Sequence, residues 1–346
     1  MLACRAAHPQ RAEYLEAHAV TVAVNASESI RKPGPAWFQL RRPHLGGADN
    51  ERRIEMSTGQ ASQVTVLGLG AIGAAVSRVL LANGYRTAVW NRSADKATAL
   101  VEHGARPAAS AADAVATSEL VILAVTDYAA ARAVLEQVGA ALTGKVLVNL
   151  TTGTPEGARR IQRMARERGA DYLDGCVQGG ADQVGTAEAT LLYSGSLAAY
   201  EAHAATLHTL STSSTFLGES VGTANLYDLA ILNLWYESQS AFLHMLATFQ
   251  DEGEPVKAFV PYAEWILEAT RAGFADTATQ VAESSYPVEV GGLAEHARVL
   301  GDLVEMREKS GVAVAPVAHL AGLVRQRLDS GADRQDLTSV IAAIRR

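Results

Sequence analysis

At 346 residues, with 48% apolar and 19% charged side chains, the chain is long and apolar enough to bury one or two substantial cores. A formal charge of −7 argues against nucleic acid or an anionic membrane as its main partner. Its two isolated cysteines, Cys4 and Cys176, form neither a disulfide framework nor a zinc site and fit a reducing, cytoplasmic setting, and no charge-free apolar run of 18 or more residues predicts a membrane span.

Residues 1–61 hold Pro9, Pro33, Pro35, Pro43 and scattered arginines without sustained periodicity, and they lack the basic start and apolar core of a signal peptide. Met56 stands just ahead of Ser57-Thr58-Gly59-Gln60, where a nucleotide-binding domain would begin. The stretch 1–61 is therefore expected to be a disordered extension or sequence upstream of the true start.

The first predicted element is a strand at 64–67, running into Gly68, Leu69, Gly70, Ala71, Ile72 and Gly73 at a G-x-G-x-x-G spacing. Gly68 permits a tight turn, Gly70 lets backbone approach a pyrophosphate, and Gly73 lets the next helix pack closely. That helix, over 71–83 and stopped by Gly84, brings a positive N-terminus to the phosphates. The glycine spacing alone is a weak signal; its strand–turn–helix context makes it a dinucleotide site. A second strand over 85–90 ends in Asn91, Arg92 and Ser93, where the adenosine ribose lies in such folds. An acidic residue there would accept from a free 2′-hydroxyl. These neutral and cationic donors, with Lys96 one turn on, suit a 2′-phosphate and predict NADPH over NADH.

A helix over 94–103, a short strand near Arg106 and a helix over 111–117 lead to an almost continuously apolar strand at 119–125. Val125 and Thr126, at its carboxyl end, are placed along the nicotinamide half of the cofactor, while Asp127 reads as the cap of a helix beginning near Ala129. The strand at 145–150 empties into Thr151-Thr152-Gly153-Thr154-Pro155, with Thr154 capping a helix opened by Pro155. Strands at 169–175, 189–194 and 215–218, with a helix over 197–210, complete a mixed sheet. Residues 62–220 thus read as an NADP-binding Rossmann domain of α/β class.

Beyond it, 221–346 reads as an all-α domain of five helices, over 223–249, 254–272, 293–309, 316–328 and a last one ending at Arg346. The first would be near 40 Å long at about 1.5 Å per residue, enough to link the two domains. Its exposed apolar length predicts a homodimer with intertwined helical domains.

No lysine occurs between Lys145 and Lys257. Reduction of a ketone or oxidation of a hydroxy acid is helped by a cationic or phenolic proton donor beside the oxygen, whereas reduction of an iminium ion is helped by a carboxylate. The long helix supplies Asp228. It reads equally as a catalytic acid of raised pKa facing a cleft or as a structural cap or pair. Tyr236 stands about 80° around the helix from Asp228 and Trp235 about 20°, so both are candidates for the same cleft. His208, His244 and His296 show no metal-ligand spacing.

The sequence resembles the imine reductase and reductive aminase family, a branch of the β-hydroxyacid dehydrogenase-like (6-phosphogluconate dehydrogenase-like) superfamily. The signals are the glycine loop, Val89-Trp90-Asn91-Arg92-Ser93, Val148-Asn149-Leu150-Thr151-Thr152-Gly153-Thr154-Pro155, Leu191-Leu192-Tyr193-Ser194-Gly195 and Gly222-Thr223-Ala224-Asn225-Leu226-Tyr227-Asp228-Leu229-Ala230. The resemblance, over about residues 62–346, implies an exchanged homodimer with active sites at the subunit boundary. It also implies NADPH-dependent reduction of cyclic imines or iminium ions, in some members with condensation of a carbonyl and an amine. By that analogy Asn149 lies near nicotinamide and substrate, Asp228 protonates or steers the imine, and Tyr236 lines the pocket, with His296 near a further lining position. The superfamily's hydroxyacid branch carries a catalytic lysine on this helix, where the present chain has Asp228. One departure is Cys176-Val177-Gln178-Gly179-Gly180, whose Gly-Gly is similar to the substrate-carboxylate loop of that branch. The alternatives are accordingly an NADP-dependent β-hydroxyacid dehydrogenase and a non-catalytic NADPH-binding sensor or scaffold.

Overall fold

The computed structural model describes residues 63–289 and 291–345; the expected extension at 1–61, with Cys4 and Met56, lies outside the described residues. The chain separates into two compact units whose boundary falls between Leu226 and Tyr227.

The first unit is built from β1 (Gln63–Leu67), α1 (Ala71–Ala82), β2 (Arg86–Trp90), α2 (Thr98–Val101), β3 (Arg106–Pro107), α3 (Ala111–Ala116), β4 (Leu120–Leu123), α4 (Tyr128–Val138), β5 (Val146–Asn149), α5 (Pro155–Glu167), β6 (Asp171–Gln178), β7 (Thr190–Gly195), α6 (Leu197–Leu210) and β8 (Ser213–Phe216). The strands form one sheet in the order β3-β2-β1-β4-β5-β6-β7-β8. Every pairing is parallel except β6 with β7, so the sheet is mixed and Rossmann-type over its first six strands.

The apolar runs of β1, β4 and β5 are explained by burial on both faces. Val64, Val66, Ile122, Val148 and Leu173 lie in one core cluster with residues of α1 and α6. Leu67, Val121, Leu123, Leu147 and Tyr172 lie in a second, with residues of α3, α4 and α5. The period of two that sorts these residues also decides where polar side chains at the strand ends project. Asn149 continues the parity of Leu147, Asp174 continues that of Tyr172, and Asn149 pairs in register with Asp174.

The second unit begins within α7 (Thr223–Asp251), a continuous 29-residue helix, and continues through α8 (Val260–Ala272), α9 (Phe274–Glu283), α10 (Leu293–Lys309), α11 (Ala315–Asp329) and α12 (Ile341–Ile344). Its compact core joins Leu293 and Leu300 of α10 to Val317, Ala321 and Val324 of α11. The sequence pattern missed α9. The expected helix ended at 272, but Gly273 holds helical dihedrals and serves as both the C-cap of α8 and the N-cap of α9. The helix expected over 254–272 opens instead as a 3-10 turn at Val256–Phe259. No helix among the described residues is long and apolar enough to cross a membrane.

Candidate functional site

The glycine loop has the geometry a dinucleotide needs. Gly68 has φ +96°, and a Cβ there would lie 2.2 Å from the Ala124 carbonyl oxygen. A Cβ at Gly73 would lie 1.9 Å from the carbonyl oxygen of Gly68, so α1 can meet the turn only without a side chain. At Gly70 a Cβ would meet nothing within 4 Å, which leaves the backbone open to a ligand on that side. Helices α3, α4, α5 and α6 each begin with a side chain, from Ser110, Asp127, Thr154 and Ser196, that accepts a backbone N–H of the first turn. Helix α1 begins at Gly70 with no such acceptor. Its first-turn amides therefore suit an anionic group, and the loop fits a pyrophosphate.

The loop is tied to the end of β2. The Gly68 N–H donates to the Trp90 carbonyl at 2.9 Å, and the Leu69 N–H donates to Asn91 Oδ1 at 3.0 Å. Asn91 Nδ2 in turn donates to the Ser93 carbonyl at 3.0 Å. Asn91 thus braces the loop, while Arg92, Ser93 and Lys96 are exposed beside it. Neither Arg92 nor Lys96 enters an ion pair among the described residues. Leu69 is buried and Ala71 exposed, with Ile72 between the two.

At the carboxyl end of β4, Val125 is half-buried and donates its N–H to Thr151 Oγ1 at 3.4 Å, whereas Thr126 is exposed. Asp127 caps α4 by accepting the Ala130 N–H at 2.7 Å.

A buried polar network sits at the carboxyl ends of β5 and β6. Asn149 is fully buried; its Nδ2 donates to the Tyr172 hydroxyl at 3.1 Å, and its Oδ1 accepts the Thr151 N–H at 3.3 Å. Tyr172 donates its hydroxyl to Asp174 Oδ1 at 3.2 Å. Asn225, in the first turn of α7, donates Nδ2 to Asp174 Oδ2 at 2.6 Å and to the Tyr128 hydroxyl at 3.0 Å, and its Oδ1 accepts the Gly153 N–H at 3.1 Å. Burial pushes the Asp174 carboxyl up to about 6, opposed by donors from Asn225, Tyr172 and the backbone of Asn225 and Gly222. Burial first, and then the Asp174 charge, hold the Tyr172 hydroxyl well above its usual range. The Tyr128 ring closes the loop from the other side. A Cβ at Gly153 would lie 2.0 Å from Tyr128 Cε2, and one at Gly157 would lie 2.6 Å from Cδ2.

Asn149 therefore does not present its amide on an open surface. Both ends of the side chain are engaged inside the protein, one on the Tyr172 hydroxyl and the other on the Thr151 N–H of the loop. Between the anchored amides of Thr151 and Gly153, Thr152 is left exposed. The reading of the sequence singled out neither Tyr128, Tyr172, Asp174 nor Asn225. The available signal was strand parity, which brings Asn149 and Asp174 together.

On α7, Asp228 follows Asn225 by three residues and is 2% exposed, whereas Tyr236 is 62% exposed. Tyr236 packs edge-on against Trp235, with ring centroids 4.8 Å apart. Asp228 and Tyr236 thus differ sharply in burial along one helix, despite their modest angular offset. His296 is half-buried on α10. Cys176 is buried with Leu192 and Ala224, and Gln178 is half-buried. The Gly180 N–H donates to Gln183 Oε1 at 2.7 Å, so that donor of the Gly-Gly bend is taken by the protein itself.

Comparison with known proteins divides the chain in two. Residues 63–218 match the family model described as the NAD binding domain of 6-phosphogluconate dehydrogenase, and residues 220–346 match that of the C-terminal domain of NADPH-dependent reductive aminase-like proteins. An NADPH-dependent reductive aminase of Aspergillus oryzae is 30% identical over 285 residues, covering 81% of this chain and 96% of the relative. The solved reductive aminase of Aspergillus terreus, in complex with NADPH4, cyclohexanone and allyl amine, is 34% identical at a TM-score of 0.75, covering 83% of this chain and 100% of that one. An imine reductase of Myxococcus stipitatus in complex with NADP+ is 31% identical at a TM-score of 0.77, covering 82% and 100%.

Proposed function

The chain belongs to the imine reductase and reductive aminase family, and from that premise we propose that it uses NADPH to reduce a cyclic imine or iminium ion to an amine. It is an oxidoreductase acting on C=N. The observation that carries the reaction class is α7, which bears Asp228 and has neither lysine nor arginine along its 29 residues. A carboxylate stabilises an iminium cation, and in its acid form it supplies the proton that a neutral imine nitrogen needs.

NADPH supplies the hydride, which adds to the imine carbon while the nitrogen takes up a proton. The chain holds the cofactor through Gly68, Leu69, Gly70, Ala71, Ile72 and Gly73, with Arg92, Ser93 and Lys96 as donors to the 2′-phosphate and Asn91 bracing both segments. Val125 and Thr126 border the nicotinamide half. Asp228 is the catalytic acid and Tyr236 lines the substrate pocket, while Asn149 positions the loop at 151–154. Residues 221–346 serve as the substrate and dimerisation domain, the exposed apolar side chains of α7 and α8 being covered by a second copy. The setting is the cytoplasm, in keeping with a sequence that holds two cysteines and no disulfide framework in its spacing.

The ketone and amine bound to the Aspergillus terreus relative favour a second capacity, the joining of a carbonyl to an amine before reduction. The hydroxyacid dehydrogenase reading loses support from the missing lysine and from the engaged Gly180 N–H.

The test is NADPH oxidation by 1-pyrroline, with and without Asp228→Ala. Turnover is expected, and the variant should lose about 10²-fold or more in kcat while its Kd for NADPH stays within about threefold. Failure across a broad imine panel together with turnover of a 3-hydroxy acid would overturn the assignment. Tight NADPH binding without any turnover would point to the sensor.

A further inference from the structure

An asparagine side chain fits its site equally well in two orientations that exchange oxygen for nitrogen, so its partners decide which end points where. Two asparagines govern the loop between β5 and α5. Asn149 Oδ1 accepts the Thr151 N–H, Asn225 Oδ1 accepts the Gly153 N–H, and Thr152 stands exposed between them. If either amide turned over, an NH2 group would face a backbone N–H and the loop would lose that anchor.

Both orientations trace back to one group. An ionised carboxylate only accepts, so Asp174 Oδ2 can receive only the NH2 end of Asn225, which turns the oxygen of that amide to Gly153. Asp174 Oδ1 likewise receives the Tyr172 hydroxyl hydrogen. The Tyr172 oxygen is thereby left to accept from Asn149 Nδ2, and the Asn149 oxygen is turned to Thr151. One chain of bonds runs from Asp174 through Tyr172 and Asn149 to Thr151. The other runs through Asn225 to Gly153.

We infer that Asp174 is a positioning residue for the loop at 151–154, setting the direction of both hydrogen-bond chains so that the backbone is held on each side of Thr152. The loop opens at the carboxyl end of a central parallel strand, where ligands bind in folds of this kind. That this loop borders the reacting groups rests on the imine reductase reading; the anchoring itself does not.

Protonation tests the same device. The groups facing Asp174 are the Tyr172 hydroxyl on its own strand, the Asn225 side chain, the backbone amides of Gly222 and Asn225, and the Tyr128 hydroxyl of α4 beyond Asn225. A protonated Asp174 must donate, and the acceptor-only logic fails. Burial places that change near pH 6.

The experiment is residue-resolved amide exchange combined with steady-state kinetics on the whole chain. In Asp174→Asn, exchange at Thr151 and Gly153 should quicken about 10-fold or more while the rest of β5 and β6 keeps its protection. In the same variant, kcat for 1-pyrroline should fall about 10-fold with the NADPH Kd within about threefold, as expected for a misplaced loop. The wild-type decline of kcat below pH 6 should be absent. Tyr172→Phe should loosen Thr151 but not Gly153, and Asn225→Ala should do the reverse, which keeps the test decisive if Asp174→Asn does not fold. Unchanged exchange at both amides, uniform loosening of the sheet, or an acid limb that survives in Asp174→Asn would overturn the inference. If the wild type turns over no imine, the functional reading fails on its own, and the exchange measurements still decide the anchoring.

Discussion

The sheet of the nucleotide unit buries both of its faces under its own helices, whereas α7 and α8 of the helical unit carry Tyr262, Tyr236, Leu243 and Trp265 at 60–67% exposure. In the first unit, by contrast, the large apolar side chains left exposed among the described residues are Val101, Leu197 and Leu226. The contrast is one of completeness. A parallel sheet covered on both sides satisfies its apolar strands from within one chain. A long helix with exposed aromatic groups calls for another surface, the one we propose a second copy to supply.

The largest effect should come from breaking the self-sufficient unit at its tightest point. In Gly73→Val the new Cβ would fall on the carbonyl oxygen of Gly68, which is backbone and cannot rotate away. NADPH affinity should drop about 10³-fold, or ~4 kcal/mol, by isothermal titration. The same variant should keep the wild-type sedimentation coefficient if the helical unit assembles independently of the nucleotide loop.

A smaller effect should follow from the opposite intervention. Leu243→Asp together with Trp265→Asp puts charge on the exposed apolar side chains of α7 and α8. By analytical ultracentrifugation the dissociation constant of the proposed dimer should rise about 10²-fold or more, since burying an unpaired carboxylate is costly. NADPH affinity should remain within about threefold. A double variant that sediments as the wild type does would refute the assignment of this surface to a second copy.

The same contrast explains what could be read from the sequence. The glycine loop, the strands β1, β4 and β5, the caps Asp127 and Thr154 and the helix at 197–210 were legible because each rests on local chemistry: turn dihedrals, apolar runs and side-chain acceptors three residues from an amide. Helix α9 was hidden because Gly273, a residue that usually ends helices, here links two of them. Asn149 was picked out, but its hydrogen bonds were not, since its partner Tyr172 lies 23 residues away, Asp174 is reached only through Tyr172, and Asn225 acts on the same loop from another element. Periodicity indicates which face a residue occupies. It is silent on which polar groups meet there until strand register is known.

A third prediction sharpens the comparison within the nucleotide unit. Arg92 is exposed at the end of β2 and engaged in no ion pair among the described residues, so its removal should leave the fold intact. Arg92→Ala should cut the preference for NADPH over NADH about 10- to 100-fold, or ~1.4–2.7 kcal/mol, measured as the ratio of kcat/KM values. Lys96→Ala should have the lesser effect of the two, because a lysine approaches a phosphate as a point charge rather than a planar fork.

The smallest effect per step is the dependence of stability on pH, and its sign is informative. The Asp174 carboxyl titrates at about 6 in the fold, against about 3.9 in an unfolded chain, so the folded state binds this proton more tightly. Its contribution to stability is complete below about pH 4 and is lost as pH rises through 6, at a slope approaching ~1.4 kcal/mol per pH unit between those values. The difference in unfolding free energy between wild type and Asp174→Asn, followed by urea denaturation from pH 4 to 7, isolates that slope from the other carboxylates. Turnover should move in the opposite direction, declining below pH 6 as the carboxylate gains the proton that reverses its hydrogen bonds. A group that merely supported the fold would make the enzyme better where it made it more stable. Opposed pH trends in stability and kcat, both removed by one substitution, separate a positioning carboxylate from a structural one.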